Sequence, residues 1–503
     1  MDWQHGYFVD NGYTYGFHDE TSPARLAWAA TLQGYRANLD QFRYIDLGCG
    51  QGLNLILLAA LHPTAEFVGV DFMPEHIAHG RQLAQQAGLS NIKFIEGDFI
   101  ELATDPSGLG EFDYAIAHGI TTWIAPEVRK AMFALAQVVL KPGGLMYNSY
   151  NTHPGWLHTA PFQHMVLQYQ KRMAGQQALE ASKELFAKLF DGNSALTNNL
   201  TTLHGRIKSM DKQDSDYLVQ EYNNKSWQPV YSNQMLEIAK RHKLKFIGSA
   251  TMSEVFEDLY PAPLIDLIKQ ESDPITREIV RDLAIVQSFR RDIYAKGAIK
   301  HWSAQRHQVI TQQRFIARVE QALPPDAQQF TWLAGTINLT GSRKKKKKII
   351  ETFSTQGSSI IEAMAALNVN DLPTFLRQVS LLLQGGWLAL EGSADQTNAK
   401  KLNRTMANAV LEGAPYQYLC APRLQSTITI NYIQFLLIAS VEEGDTPTTL
   451  GQKLIQRMKA LNKRFAHDGK AIEDPKQILS KATIQAELFL KDTIRRYKSL
   501  GAI

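Results

Sequence analysis

Three carboxylates in the first hundred residues each follow an apolar run, at the point where a strand would deliver its side chains to a ligand crevice. The first is Asp46, which heads "DLGCGQG" (46–52), a loop whose Gly48, Gly50 and Gly52 alternate with Cys49 and Gln51. Glycines at such a corner let bare backbone approach a ligand, with the next helix N-terminus facing it. The dinucleotide fingerprint spaces its glycines G-x-G-x-x-G, so the G-x-G-x-G spacing here leaves the ligand open. The acid in front is more informative. A carboxylate at the end of the first strand repels a pyrophosphate but suits a ligand carrying an ammonium and a sulfonium. That charge argument favours S-adenosylmethionine over a nicotinamide dinucleotide.

The companions agree. "GVD" puts Asp71, with Phe72 beside it, at the tip of a second strand, where a carboxylate can hold both ribose hydroxyls. "EGDF" puts Asp98 and Phe99 after a third strand, where an acid can accept from an adenine amino group. Asp98 alone could equally be a helix N-cap. "AHG" ends a fourth strand with His118 and Gly119 at the mouth of the crevice. In this order and spacing the fragments form one cofactor site: Asp46, Gly48, Cys49, Gly50, Gly52, Asp71, Phe72, Asp98, Phe99, His118 and Gly119.

Positioning these residues takes an alternating pattern of strands and helices. Apolar runs at 44–48, 66–71, 92–98, 112–119 and 144–151 suit buried parallel strands. Amphipathic segments at 53–63, 74–89 and 126–144 lie between them, closed by Pro63, Gly88 and Pro142 with two glycines. Alternation of this kind predicts right-handed βαβ units and a doubly wound, Rossmann-like α/β sheet. Residues 157–225 read as a polar helical insertion. The pattern resumes with a helix at 232–243 and a strand at 244–252, and "VQSFRRDIYAKG" (286–297) reads as a last, polar edge strand. The division expected is a cofactor-binding core over 1–156, the insertion over 157–225, the remainder of the sheet over 226–300, and a mainly α region over 301–503. Within that last region, helix, helix, Gly-Gly turn and strand near 345–392 make a winged-helix-like pattern.

Composition bounds the rest. The 503 residues are 44% hydrophobic and 20% charged, ordinary values for a chain with buried cores. No apolar run approaches the ~20 residues that span a bilayer, and the N-terminus has no signal-peptide pattern. Two cysteines, Cys49 and Cys420, exclude a disulfide framework, and the 14 histidines show no metal-ligand spacing. A cytoplasmic protein without a metal is expected. A net charge of +4 implies no nucleic-acid partner by itself, and most of the excess could come from "RKKKKK" (343–348).

The fragments over residues 40–150 together resemble the class I S-adenosylmethionine-dependent methyltransferases. Longer stretches narrow the resemblance: "YTYGFHDETSP" (13–23), "AHGITTWIAPEVR" (117–129), "YNTHPGW" (150–156), residues 220–250 and "SFRRDIYAKG" (288–297). These are similar to a bacterial subfamily with a methyltransferase regulatory domain, which includes rickettsial-type protein-lysine methyltransferases. The resemblance implies a methyl-transferring enzyme acting on lysine side chains of a protein. Methylation of a small molecule or of a carbohydrate or lipid intermediate is the alternative. A cofactor-binding interaction protein is the non-enzymatic one.

Methyl transfer is an in-line displacement at the sulfonium methyl, so alignment and water exclusion are the enzyme's main tasks. A lysine acceptor, with a reference pKa of about 10.4, must also be made neutral. Aromatic walls suit that, and the candidates are Tyr13 and Tyr15 as a lid, Trp123, and Tyr150 with Asn151 at the end of strand five. For each, plain packing is the competing reading, and Trp156 reads as a structural wedge. Glu221 is a speculative base. The lysine run lacks interleaved aromatics, and the presumed recognition helix carries only Arg377, so the run reads as a solvated loop and nucleic acid is disfavoured.

Overall fold

The computed structural model describes residues 14–318 except 214, then 327–332, 335–340, 343–354, 356–392, 397–467 and 470–503. Tyr13 lies outside the described residues.

Five strands form where the apolar runs place them: β1 (Arg43–Leu47), β2 (Glu66–Asp71), β3 (Ile92–Glu96), β4 (Phe112–Ala117) and β5 (Leu140–Asn151). The chain then adds β6 (Leu244–Ser249) and β7 (Phe289–Lys296). Their order in the sheet is β3-β2-β1-β4-β5-β7-β6. The first five run parallel, and β7 lies antiparallel between β5 and β6. The expectation of an edge strand at 286–297 is therefore corrected: β6 holds the edge. The charges that suggested an edge are neutralised inside the fold. Arg290 reaches Asp282 at 2.6 Å, Glu278 at 2.9 Å and Asp292 at 2.9 Å, all buried.

Helices α1 (Pro23–Leu32), α2 (Leu53–Leu61), α3 (Pro74–Gln86), α4 (Phe99–Thr104) and α5 (Pro126–Val139) cover the two faces of the sheet. The insertion is helical as expected: α6 (Ala160–Gln170), α7 (Gly175–Asp191), α8 (Ala195–Asn199), α9 (Thr201–Met210) and α10 (Ser215–Asn223). It packs around a core of its own that includes Phe162, Phe186, Leu203 and Tyr222. Three tryptophans, Trp123, Trp156 and Trp227, join that core to the sheet domain. Then follow α11 (Ser232–Arg241), α12 (Ala262–Gln270) and α13 (Pro274–Ile285).

Beyond β7 come α14 (Ser303–Gln312), β8 (Arg314–Ala317), the hairpin β9 (Ala327–Trp332) and β10 (Gly335–Thr340), α15 (Arg343–Phe353), β11 (Ser358–Ser359), α16 (Ile360–Leu367), α17 (Leu372–Gln384) and β12 (Leu388–Leu390). Strands β11, β8 and β12 form a small antiparallel sheet with β8 in the centre. The lysine run, expected as a loop, is the first half of α15. Positive charge at a helix N-terminus opposes the macrodipole, so the helix forms through burial of Ile349, Ile350 and Phe353 at its other end.

Helix α18 (Thr397–Leu411) and the hairpin β13 (Tyr418–Ala421) and β14 (Ser426–Thr429) pack directly on α2. Helix α2 is apolar all round, and every residue of it but Asn54 is buried. A helix of that kind needs a layer on each side. The sheet is one layer and the C-terminal region is the other, so residues from Leu53 to Ala502 share one continuous hydrophobic core.

Candidate active site

The turn after β1 is built from positive-φ glycines. Gly48 (φ +81°) and Gly52 (φ +76°) take a conformation that a side chain disfavours. A Cβ on Gly52 would lie 2.6 Å from Phe94, and one on Gly48 would lie 2.9 Å from Ile120. The carboxylate of Asp71 ties this loop to β2. One oxygen accepts from the Gly50 amide at 2.8 Å, and the other accepts from the Met73 amide at 3.0 Å and contacts His76 Nδ1 at 3.2 Å. Asp98 caps α4 by accepting from the Ile100 amide at 2.6 Å. The cap role and a place at the crevice coexist, because a cavity opens at this corner. Gly48, Gly50, Asp71, Phe72, Asp98, Phe99, His118, Gly119 and Trp123 all line it, together with His76 and Ile120. Bare backbone at one end, two carboxylates and the aromatic rings of Phe72, Phe99 and Trp123 fit an adenosine with a charged amino-acid arm.

Three of the expected cofactor residues stand behind this wall. Cys49 turns its sulfur back against β2, where a Cβ on Gly69 would come within 2.9 Å, and its amide donates to Val70 O at 3.0 Å. Burial and the nearby Asp71 and Asp46 carboxylates push its thiol well above the usual range. Gly52 serves as N-cap of α2. Asp46 is buried, and burial with the neighbouring Asp71 charge pushes its carboxyl up to about 7. It does not line the cavity.

A second cavity opens between the strand ends and the insertion. His18, Glu20, Asn151, Trp156, Arg206, Phe289 and Arg291 line it, and His118 is the residue it shares with the first cavity. Burial and then the neighbouring His18 hold His118 well below the ordinary imidazole value, with Glu20 opposing. Burial also lowers His18, whose ring lies 3.8 Å from that of His118. Glu20 feels burial pushing its carboxyl up, yet the Arg291 guanidinium at 2.8 Å outweighs this and holds it well below the usual carboxylate range. Arg206 lies 3.7 Å above the Trp156 ring.

The expected acceptor residues separate. Asn151 lines the second cavity and donates to Glu221 at 2.9 Å. Tyr150, its neighbour, points to the other face of the sheet, where its hydroxyl donates to Asp292 at 2.6 Å. Successive side chains alternate across a strand, so the choice of Tyr150 is corrected. Glu221 is buried, and its carboxylate accepts from both Asn151 and the Trp227 indole at 3.1 Å, which makes it a positioning partner rather than a base. Trp123 belongs to the first cavity. Tyr15 packs against His79 and Tyr416, with ring centroids 5.1 and 5.8 Å away. His79 donates to Gln51 O in the glycine loop at 2.6 Å and accepts from the Tyr416 hydroxyl at 2.9 Å. The segment from Tyr15 to Thr21 is thus a strap between the cofactor loop and the C-terminal region, pinned by His18 N to Asn54 at 3.0 Å and by Ser426 to Asp19 at 2.7 Å. The sequence reading overlooked His18, Glu20 and Arg291, although the adjacent "HDE" beside an expected lid carried a signal.

Residues 39–246 match the family described as a methyltransferase domain, and residues 214–296 match the predicted methyltransferase regulatory domain. Over 515 aligned positions the chain is 28% identical to an uncharacterized protein of Synechocystis sp., with 100% of both covered. It is 26% identical over 285 positions to an uncharacterized protein of Rickettsia prowazekii, covering 56% of this chain and 51% of that one. The structure of PKMT2 from Rickettsia typhi in complex with AdoHcy superposes with a TM-score of 0.71 at 19% identity, over 97% of this chain and 99% of that one. At that identity the likeness is one of fold, and it runs through the C-terminal region as well as the sheet.

Proposed function

The chain is an S-adenosylmethionine-dependent methyltransferase, and we propose that it methylates lysine side chains of a protein. The observation that carries this reading is the meeting of two cavities at His118. The first suits the methyl donor: Asp71 for the ribose, Asp98 and Phe99 for the adenine, the glycine turn for the amino-acid arm. The donor supplies a methyl group on a positively charged sulfur. The second cavity brings an acceptor to the same point, past an anionic carboxylate (Glu20), aromatic rings (Trp156, Phe289) and an amide (Asn151). An alkyl ammonium side chain is drawn by the Glu20 carboxylate, which shares the lining with the Arg291 and Arg206 guanidiniums, and the rings strip its water. The name of the Rickettsia typhi neighbour supports the same acceptor class. Helices α15 to α17 with β11 and β12 read as a winged-helix-like interaction module, which would serve a macromolecular substrate.

Labelled methyl transfer into a host lysate tests the reading, with the products split into protein, nucleic-acid and small-molecule fractions. Label in the protein fraction, recovered as methyl-lysine after hydrolysis, is the expected result. Label confined to small molecules would overturn it. No helix among the described residues is long and apolar enough to cross a membrane.

A further inference from the structure

Resting on the lysine reading, we propose that His118 takes the proton of the acceptor ammonium, with Glu20 supplying the counter-charge for the imidazolium that results. The geometry is specific. His118 Nδ1 sits 3.1 Å from the Tyr147 hydroxyl and 3.2 Å from the Ser149 hydroxyl. Those hydroxyls can accept the Nδ1 proton, and in that tautomer Nε2 carries a lone pair with no protein partner among the described residues. Ser149 is itself fixed by the Gly119 amide at 2.9 Å. The ring is packed on three sides, by the tilted His18 ring at 3.8 Å, the stacked Tyr147 ring at 5.9 Å and the edge-on Phe289 ring at 6.4 Å. Both cavities touch this one side chain, so a group on Nε2 can reach a nitrogen poised for in-line attack.

Glu221 and Asn151 do not serve as the base. Glu221 is held by Asn151 and Trp227. Asn151 has no proton-accepting form at neutral pH. The charged and titratable groups facing His118 are His18, Glu20 and Arg291. Burial, His18 and Arg291 all favour the neutral imidazole, and Glu20 is the facing group that favours its protonated form. Glu20, paired with Arg291, lies where it offsets the positive charge once the proton arrives.

The step balances as follows. The ammonium gives one proton to Nε2. The freed lone pair forms the nitrogen–carbon bond while the carbon–sulfur bond breaks, its electron pair leaving with sulfur. The imidazolium then returns its proton to water in the open second cavity. Products are a methylammonium, a thioether and one proton.

The test uses the full-length chain, methyl-labelled donor and the labelled protein fraction, with His118→Gln and Glu20→Gln compared with wild type from pH 6.5 to 9.5. Calorimetry with S-adenosylhomocysteine serves as the binding control. The glutamine keeps a hydrogen-bonding side chain but accepts no proton. Expected for His118→Gln, measured at saturating donor so that any change in cofactor affinity drops out, is a transfer rate about 100-fold lower at pH 7. The deficit should narrow roughly tenfold per pH unit as hydroxide takes over the deprotonation. Glu20→Gln should lower kcat with the same pH trend and a smaller amplitude. An equal loss at every pH, or no loss at all, would overturn the proposal. His118→Asn repeats the measurement should the glutamine variant not fold. Amino-acid analysis of the labelled protein separates the two readings: absence of methyl-lysine removes the lysine acceptor, whatever the histidine variants do.

Discussion

Asp46→Asn should make the free protein more stable and the cofactor complex weaker. Burial and the Asp71 charge push the Asp46 carboxyl from an ordinary 3.8 to about 7. The sign follows from which state prefers the proton. The unfolded chain gives the proton up near pH 4 and the folded chain only near 7, so the ionised carboxylate costs the folded state more with each pH unit between them. Three units at 1.36 kcal/mol each set an upper bound of about 4 kcal/mol, fully expressed above pH 7 and absent below pH 4. Asparagine keeps the shape and removes the charge, so thermal unfolding of the free variant at pH 8 should move up by several degrees. At pH 4 the two proteins should melt alike in this respect. Cofactor binding turns the penalty to use, because an ammonium or sulfonium nearby favours the ionised form. Wild-type affinity should therefore rise about tenfold per unit up to pH ~7 and then level. Binding below pH 7 should release close to one proton, read by calorimetry in buffers of different ionisation heat. The variant should bind more weakly, with a flat pH profile. Comparing S-adenosylmethionine with S-adenosylhomocysteine separates the sulfonium from the ammonium. A flat wild-type profile, or an asparagine variant no more stable at pH 8 than wild type, would refute the reasoning.

Gly52→Ala places a Cβ 2.6 Å from Phe94 at a φ of +76°, and should lower stability by about 2–4 kcal/mol in chemical denaturation. Arg290→Leu strips the cation from Asp282, Glu278 and Asp292 and should cost about 3–5 kcal/mol at pH 8. That deficit should shrink on acidification as the orphaned carboxylates take up protons, which a melting series across pH reads directly. A chain ended after residue 300 would bare the outer side of α2, so it should aggregate and fail to bind S-adenosylhomocysteine in calorimetry, although the sequence alone invites one to treat 301–503 as a separable attachment.

Much of the sheet and its ligand corner was legible because parallel strands buried on both faces read as plain apolar runs, and because the glycine turn follows one of them. Gly48, Gly50, Asp71, Phe72, Asp98, Phe99, His118 and Gly119 were found by position in that pattern, and they line one cavity. What the pattern could not carry is pairing between distant charges. Arg290 and Arg291 looked like solvent-facing residues of an edge, since nothing in a linear reading says that Asp282, Glu278 and Glu20 wait to receive them. Tyr150 and Asn151 show a second limit, for neighbours on a strand face opposite ways and the cavity side depends on the sheet's outer layers. One overlooked signal was available. The all-apolar "LNLILLAAL" of α2 announces a covering layer on its far side, which is the C-terminal region.

The helical insertion has a consequence for divergence among related enzymes. Its aromatic core is its own, and it meets the sheet domain through three tryptophans. Substitutions along the cleft-facing side of α9, from Thr202 to Ser209, can reshape the entrance while the donor corner stays as it is. Relatives that keep the same glycine turn are therefore free to choose different acceptors, and the difference will be written in that helical cassette rather than in the loop that holds the donor.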